Sequence, residues 1–170
     1  MLRDSNPDSI QAYLKDASQY PGGHADGVVF PENEKEVAEF LKGCHADGTE
    51  VTVSGNRTGL TGASVPMGGW VLATDRLAKV QAIERYLDGA ESFAITQPGV
   101  KLGYFQKAVR AQKLLYPPDP TGPDSFLGGN VGTNASGAKS FKYGSMRGFV
   151  RRLRLVLASG DILELKRGQV

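Results

Sequence analysis

Two amphipathic stretches and a series of short apolar runs organise the hydrophobic pattern of the chain. In the first stretch, apolar side chains at positions i, i+3, i+4 and i+7 predict a helix with one buried face, formed by Val37, Phe40, Leu41 and Cys44. Asn33 and Glu36 provide an N-cap and N3 pair at its start, and Gly48 ends it. The second stretch predicts a helix from Leu102 to about Gln112.

The apolar and β-branched runs predict strands that are bounded by turn residues. In chain order they are 28–30, 51–53, 70–73, 77–83, 92–96 and a hairpin of 150–158 with 162–165. Because the first two flank the first helix, residues 28–53 are predicted to form a βαβ unit with right-handed parallel pairing. Residues 8–15 predict a short helix inside an N-terminal lead-in, residues 1–24. The pattern as a whole predicts an α+β fold, a mixed β-sheet with flanking helices in which loops after strands form a cleft.

Length and charge narrow the class of protein. A chain of 170 residues is long enough for one core, and its net charge of +2 indicates no field for nucleic acid or membrane. Cys44 is the one cysteine, so no internal disulfide forms and a reducing, cytoplasmic setting is expected. No apolar run reaches the roughly 20 residues that a transmembrane helix needs. The expected partners of this soluble chain are therefore small molecules or proteins.

The 22 glycines gather in residues 55–69 and 122–148. The first cluster contains Ser54–Gly62, a loop that leaves a predicted strand directly. Glycines let consecutive backbone N–H groups turn inward around an anion, and Ser54, Thr58 and Thr61 add hydroxyl groups. The loop lacks both the Gly-Lys-Ser/Thr of a P-loop and the G-x-G-x-x-G spacing. It indicates either a diphosphate site or a tight surface turn.

The second cluster contains residues 126–137, within a segment from Asp119 to Gly148 that is too long for a simple connection. A short helix that begins here would expose unpaired N–H groups to a phosphate or a ring carbonyl. Asn130, Thr133 and Asn134 would supply polar edges. Two such loops in one chain favour a phosphate-containing ligand.

An ordered set of motifs runs from about residue 25 to the end of the chain. The motifs are Phe30-Pro31 with Glu36-Val37, the Ser54–Gly62 loop with Val65-Pro66, Gln97-Pro98-Gly99-Val100, Pro117-Pro118-Asp119-Pro120, and Gly128-Gly129-Asn130 through Gly137 to Tyr143-Gly144. This set strongly resembles the PCMH-type FAD-binding domain of the vanillyl-alcohol oxidase superfamily, and within it most closely the glycolate oxidase and D-lactate dehydrogenase flavoproteins. The resemblance implies a domain division into the 1–24 lead-in and the N-terminal part of an FAD-binding domain, 25–170, which is expected to be incomplete at its C-terminus.

The resemblance also implies the cofactor and its residues. The FAD diphosphate would be held by Ser54, Gly55, Asn56, Arg57, Thr58, Gly59, Leu60, Thr61 and Gly62. The rest of the cofactor would be lined by Pro118, Thr121, Gly129, Asn130, Thr133, Asn134, Ser136 and Gly137, with Val150 near the adenine end. Some family members attach flavin through a histidine in the first loop, and this loop has none, so noncovalent FAD is expected.

The family likeness implies oxidation of a 2-hydroxy acid, of the D-lactate or glycolate type, by hydride transfer to flavin. An alcohol, an aldonolactone or a cell-wall precursor is an alternative substrate. Family members continue past a hairpin like 150–165 with further FAD-domain residues and then a cap domain that carries substrate-binding and proton-abstracting groups. A fragment or a split subunit with a missing C-terminal part is therefore expected. No catalytic base is identified. The alternative is a non-catalytic subunit with a nucleotide-binding or protein-interaction surface.

The remaining candidates have simpler interpretations. Cys44 and His45 indicate core packing and a solvated helix end rather than a metal pair, and His24 lacks ligand partners. The arginines of 147–154 are divided between strand faces, which favours a solvated face or a surface for a missing domain over nucleic acid. Lys139 and Lys142 either balance phosphate charge or are plain solvent-exposed side chains.

Overall fold

The computed structural model describes residues 1–84, 91–120 and 122–168. Two compact units make up the chain: Met1–Arg76 with Val150–Val170, and Leu77–Phe149. Both combine helices with strands, which confirms the predicted α+β class.

The secondary structure follows the predicted order closely. The elements are β1 (Leu2–Asp4), α1 (Pro7–Ile10), β2 (Gly27–Phe30), α2 (Glu34–Asp47), β3 (Val51–Ser54), β4 (Trp70–Ala73), β5 (Val80–Glu84), β6 (Phe93–Thr96), α3 (Leu102–Ala111), α4 (Leu127–Gly132), α5 (Ser140–Tyr143), β7 (Arg152–Val156) and β8 (Ile162–Lys166). Two 3₁₀ turns, Gln11–Tyr13 and Met146–Phe149, complete the set.

The sheet of the first unit has the strand order β1-β2-β4-β3. Strands β2, β4 and β3 are parallel, and β1 is antiparallel to β2. The predicted direct pairing of β2 with β3 is therefore wrong, because β4 lies between them. Burial gives the reason: Val71, Leu72 and Ala73 of β4 are at most 2% exposed, whereas Val53 of β3 is 58% exposed. The most apolar strand takes the centre, and β3 becomes an edge.

Helix α2 begins and ends as predicted, with one change at its cap. The Asn33 side chain accepts from the Glu36 N–H at 3.0 Å, while the Glu36 carboxylate accepts from the Glu32 N–H at 2.9 Å. In a capping box that carboxylate would instead return to the N-cap residue. At the other end Gly48 has a left-handed φ of 73°, which ends the helix.

The apolar face of α2 packs on the sheet as predicted. Phe40 and Cys44 are buried in one cluster with Val29 and Leu72. The Cys44 thiol is thus part of the core, and burial together with Asp47 raises its pKa.

The lead-in helix is shorter than the predicted span of 8–15. After Ile10, which is buried, the chain tightens into the 3₁₀ turn, where Leu14 N–H donates to Gln11 O at 3.3 Å. Residues 11–14 lack a second buried apolar position, so packing does not extend the α-helix.

The second unit has its own core around α3. Leu102, Phe105 and Val109 of α3 are buried with Val100 and Leu127. Strands β5 and β6 pair antiparallel. Strand β5 begins at Val80 rather than at Leu77, whose carbonyl accepts from Gly99 N–H at 2.7 Å outside the strand ladder.

The predicted hairpin is present as β7 and β8, and its two faces differ. On one face Leu153 pairs with Leu165 and Leu155 with Leu163. On the other, Arg154 makes two hydrogen bonds to the Glu34 carboxylate, at 2.6 and 2.8 Å. Carboxylates thus pair with some of the arginines of residues 147–154. In the described ranges, no helix is long and apolar enough to cross a membrane.

Candidate functional site

The first glycine loop leaves the carboxyl end of β3 and is anchored to the end of the neighbouring strand. Ser54 is fully buried, and its carbonyl accepts from the Thr74 N–H at 3.0 Å and from the Thr74 hydroxyl at 3.2 Å. The Ser54 hydroxyl donates to Gly55 O at 3.3 Å, so this predicted donor is used within the loop. The start of the loop is therefore rigidly tied to the sheet.

Arg57 is the loop residue with the most unusual backbone. Its φ is 56°, a left-handed conformation that costs a non-glycine residue about 1–2 kcal/mol. Its guanidinium donates to Gly55 O at 3.0 Å and lies 4.3 Å from the centre of the Tyr13 ring. Side-chain contacts thus offset the backbone cost and place a positive charge at the base of the loop.

The outer part of the loop, residues 58–62, offers backbone donors. Within the described ranges of the chain, none of these five N–H groups has a hydrogen-bond acceptor. Thr58, Gly59, Leu60 and Thr61 are exposed, and a Cβ added at Gly59 would meet nothing within 4 Å. Unpaired N–H groups beside open space are suited to binding an anion.

The second glycine loop contains α4, but its amino end differs from the prediction. Leu127 N–H donates to Val100 O at 2.9 Å and Gly128 N–H to Pro98 O at 2.8 Å. An antiparallel bridge between Lys101 and Phe126 brings the two segments together. Two of the N–H groups expected to be unpaired are therefore bonded inside the unit.

Polar side chains of the second loop hold its shape. Asn130 is buried and donates to Ser125 Oγ at 3.1 Å, and the Thr133 hydroxyl donates to Gly129 O at 2.9 Å. Asn134 has a φ of 51° and accepts from the Arg147 N–H at 2.9 Å. Of the glycines, Gly129 and Gly132 face open space.

Gly137 packs against the segment that contains Pro118 and Asp119. A Cβ at Gly137 would lie 1.7 Å from Asp119 O. The Asp119 carboxylate pairs with Lys139 at 2.9 Å and accepts from Gln106 Nε2 at 3.1 Å. The Lys139 and Gln106 hydrogen bonds hold the pKa of Asp119 below its ordinary value. The Lys139 charge is thus engaged by a carboxylate.

The predicted cofactor residues fall in both units. Residues 54–62 and Val150 belong to the first unit, and Pro118 and residues 129–137 to the second. The Val150 carbonyl accepts from Arg167 Nε at 3.0 Å. Pro118 is buried and Ser136 is exposed, whereas Thr121 lies outside the described residues.

Sequence reasoning missed Tyr13 and Asp75. The Tyr13 hydroxyl donates to Asp75 Oδ1 at 3.2 Å, beside Arg57. In the described part of the chain, Asp75 Oδ2 is buried without a hydrogen-bond partner, a costly arrangement that native proteins rarely keep without a use. The available signal was the position of Asp75 just after a parallel strand, where polar groups of a site collect.

Alkaline pH should destabilise the folded chain partly through Tyr13. Burial and the Asp75 carboxylate raise the pKa of Tyr13 from 10.0 to about 12, and the folded chain therefore holds this proton more tightly than the unfolded chain. This stabilisation is complete below pH 10 and lost as the pH rises through about 12. Burial also raises the pKa of Tyr116. Urea unfolding at several pH values measures the effect. The free energy of unfolding should fall less steeply at alkaline pH in Tyr13→Phe and in Tyr116→Phe than in the unsubstituted chain.

Tyr104→Phe is the matched control for that experiment, because the Tyr104 ring is 61% exposed. An alkaline decline of the same slope in Tyr13→Phe and in the unsubstituted chain would contradict the expectation.

Among the described residues, no group of three His, Cys, Asp or Glu side chains is placed to hold a metal ion. His24 Nδ1 lies 2.9 Å from Gly22 O, a local turn contact.

Comparison with known proteins identifies the type of domain. A family model described as "FAD binding domain" matches residues 25–166. A D-lactate dehydrogenase of Anaerostipes hadrus is 39% identical over 147 residues, covering 86% of this chain and 30% of that protein. The glycolate oxidase subunit GlcD of Bacillus subtilis is 34% identical over 162 residues, covering 94% and 33%. The chain spans about a third of the length of the curated relatives it matches.

Solved structures show the same fold at low identity. An alkyldihydroxyacetonephosphate synthase superimposes with a TM-score of 0.84 at 22% identity, covering 99% of this chain and 33% of that one. The 6-hydroxy-D-nicotine oxidase of Arthrobacter nicotinovorans superimposes with a TM-score of 0.79 at 22% identity, covering 96% and 34%.

Proposed function

The chain belongs to the FAD-binding domain family, and from that premise we propose that it forms the cofactor-holding part of an oxidoreductase that oxidises 2-hydroxy acids. The observation that carries the proposal is the row of five unpaired N–H groups at residues 58–62, in a loop that also carries the positive charge of Arg57. A diphosphate needs hydrogen-bond donors and positive charge, and the loop offers both.

The donor set fits FAD in further respects. Open space at Gly59 in the first unit, and at Gly129 and Gly132 in the second, lets a ligand approach the backbone closely. The proposed diphosphate residues are Ser54, Gly55, Asn56, Arg57, Thr58, Gly59, Leu60, Thr61 and Gly62. The residues proposed for the remaining parts of FAD are Pro118, Thr121, Gly129, Asn130, Thr133, Asn134, Ser136, Gly137 and Val150.

The proposed attachment is noncovalent. Residues 54–62 contain no histidine, the side chain through which some family members attach flavin. The hydrogen bonds and charge of the loop would hold the cofactor instead. We also propose that residues 25–170 form the N-terminal part of the FAD-binding domain and residues 1–24 a lead-in.

Bound FAD would supply the acceptor for a hydride from the substrate carbon, while the protein orients and tunes it. The contribution of this chain is binding. Backbone N–H groups of the first loop would donate hydrogen bonds to the diphosphate, and the hydrogen bond from Thr74 to Ser54 keeps the loop attached to the sheet. Substrate recognition and proton abstraction are assigned to polypeptide that the relatives possess in addition, as the rest of one chain or as another subunit.

The proposed substrate class is supported by the relatives that are named for D-lactate and glycolate. A third relative, a D-2-hydroxyglutarate dehydrogenase of Stutzerimonas stutzeri, is 32% identical over 165 residues, covering 96% of this chain and 35% of that protein. All three named substrates carry a hydroxyl next to a carboxylate. We propose a small 2-hydroxy acid of this class.

One observation favours a second function, a non-catalytic subunit with an interaction surface. Leucines on one face of the hairpin, Leu155, Leu163 and Leu165, are 37%, 39% and 46% exposed. Adjacent exposed apolar side chains are typical of protein contacts.

Flavin titration tests the proposal and separates the two functions. FAD added to the purified chain should lose fluorescence in a saturable way, and acid precipitation should release all flavin to the supernatant. ADP should compete, because it carries the diphosphate, whereas riboflavin should not. Absence of FAD binding would contradict the cofactor proposal. The FAD-loaded protein is then mixed anaerobically with D-lactate or glycolate, with the partner polypeptide added. If its yellow colour is not bleached, the flavin is not reduced, which would favour the non-catalytic function.

A further inference from the structure

The lead-in wraps the first glycine loop although it precedes the residues that match the family. Ala17 N–H donates to the carbonyl of Arg57 at 3.0 Å. This bond holds the backbone at the one loop position where a non-glycine residue is left-handed. We call Tyr13, Asp16, Ala17 and Tyr20 the lead-in clamp.

Tyr13 holds the other side of Arg57. Its ring centre lies 4.3 Å from the guanidinium carbon, close enough for a cation–π contact. The hydroxyl of the same ring donates to Asp75, which follows β4. The ring also meets Phe30 edge to face at 5.5 Å. Tyr13 is thereby fixed to the ends of two sheet strands and offers Arg57 a rigid surface.

Asp16 ties the lead-in to the far end of the loop. Its buried carboxylate accepts from the Ser64 hydroxyl at 3.3 Å and from the backbone and hydroxyl of Ser18. Burial alone would raise the pKa of Asp16, yet the hydrogen bonds from Ser18 and Ser64 outweigh it and lower the pKa. The carboxylate stays charged and anchors the turn.

Tyr20 packs on the left-handed glycine that closes the loop. Gly62 has a φ of 73°, and a Cβ there would lie 3.1 Å from Tyr20 Cβ. The clamp therefore touches the loop at Arg57, directly before the unpaired N–H groups of residues 58–62, and at Gly62, the last residue of that row.

We propose that Tyr13 is a positioning residue for the diphosphate loop: by stacking on Arg57 it keeps that residue left-handed and so holds the N–H groups of residues 58–62 in a ready arrangement. The inference rests on the proposed function for its ligand, but not for its geometry. Preorganised donors bind more tightly because less conformational entropy is lost on binding. The clamp would thus control FAD affinity without touching FAD.

A double-mutant cycle between Tyr13 and Arg57 tests the proposal on the full chain. Tyr13→Ala should weaken FAD and ADP binding about 10-fold, since the loop must then be ordered by the ligand. In the Arg57→Gly background the same change should have less than about a 2-fold effect, because glycine adopts a left-handed backbone without support. Tyr13→Phe keeps the ring and should retain affinity, and Tyr104→Ala, at an exposed tyrosine, should change nothing.

If Tyr13→Ala lowered FAD affinity equally in the wild-type and Arg57→Gly backgrounds, the proposal would be overturned, because the ring would then act on something other than the Arg57 backbone. Hydrogen exchange without ligand gives a readout that does not depend on FAD. Tyr13→Ala should speed exchange of the Ala17 N–H, which donates to the Arg57 carbonyl at 3.0 Å, but not of β4, and only when Arg57 is present. Unchanged exchange in Tyr13→Ala would overturn the clamp even if FAD binds. If the unsubstituted chain does not bind FAD but Tyr13→Ala shows the expected change in exchange, only the proposed function is contradicted.

Discussion

Gly137→Ala should destabilise the folded chain by about 3 kcal/mol, near the upper end of the usual range for overpacking. The added Cβ would lie 1.7 Å from the Asp119 carbonyl oxygen and 2.4 Å from its carbon. Both are backbone atoms, so no side-chain rotation relieves the clash. The segment of Asp119 would have to move, and with it the Asp119 bonds to Lys139 and Gln106. Urea denaturation followed by circular dichroism measures the change.

Gly132→Ala is the matched control, since the same cluster supplies the glycine and its Cβ would meet nothing within 4 Å. Gly132 ends helix α4, where alanine is tolerated. We expect its free energy of unfolding to stay within about 0.5 kcal/mol of the unsubstituted chain. Similar stabilities for the two variants would mean that Gly137 and Asp119 are not in close contact.

Gly59→Asp should lower FAD affinity at least about 100-fold, which corresponds to about 2.7 kcal/mol. The new carboxylate would stand among the unpaired N–H groups, accept hydrogen bonds from them and repel a diphosphate. The fold should survive, because the Gly59 position has open space around it and its φ is not left-handed. Flavin fluorescence titration measures the affinity. Added salt should reduce the loss, because it screens exposed charges.

Two further variants separate charge from bulk. Gly43→Asp introduces the same carboxylate on the exposed side of α2, also into open space, and should leave FAD binding unchanged. Gly59→Ala adds bulk without charge and should lower affinity less than Gly59→Asp. A Gly59→Asp chain that binds FAD normally would remove residues 58–62 from the cofactor site.

Local patterns predicted the elements well where one short segment decides its own structure. The face of α2 and the stop at Gly48 follow from spacing and from backbone preference. Pairing was less predictable. Sequence order alone suggested that β2 and β3 are neighbours, whereas the greater burial of β4 places that strand between them.

Contacts between distant residues also explain what was missed at the candidate site. The amino end of α4 looked unpaired because Pro98 and Val100, which accept its first N–H groups, lie almost thirty residues earlier in the sequence. Tyr13 gave no local sign of its role, since its partners Arg57 and Asp75 are also distant along the chain.

By itself, the sequence determined that two glycine-rich loops follow apolar elements, and the order of its motifs determined the family. Only the tertiary structure decided which glycines lie beside open space and which pack against other backbone. Gly59 faces open space and Gly137 faces a backbone carbonyl, although both stand in loops of similar composition. Room for a Cβ depends on neighbours brought close by folding, and their identity is not written in the local pattern. The same reason places the lead-in, rather than the loop alone, in control of the proposed diphosphate site.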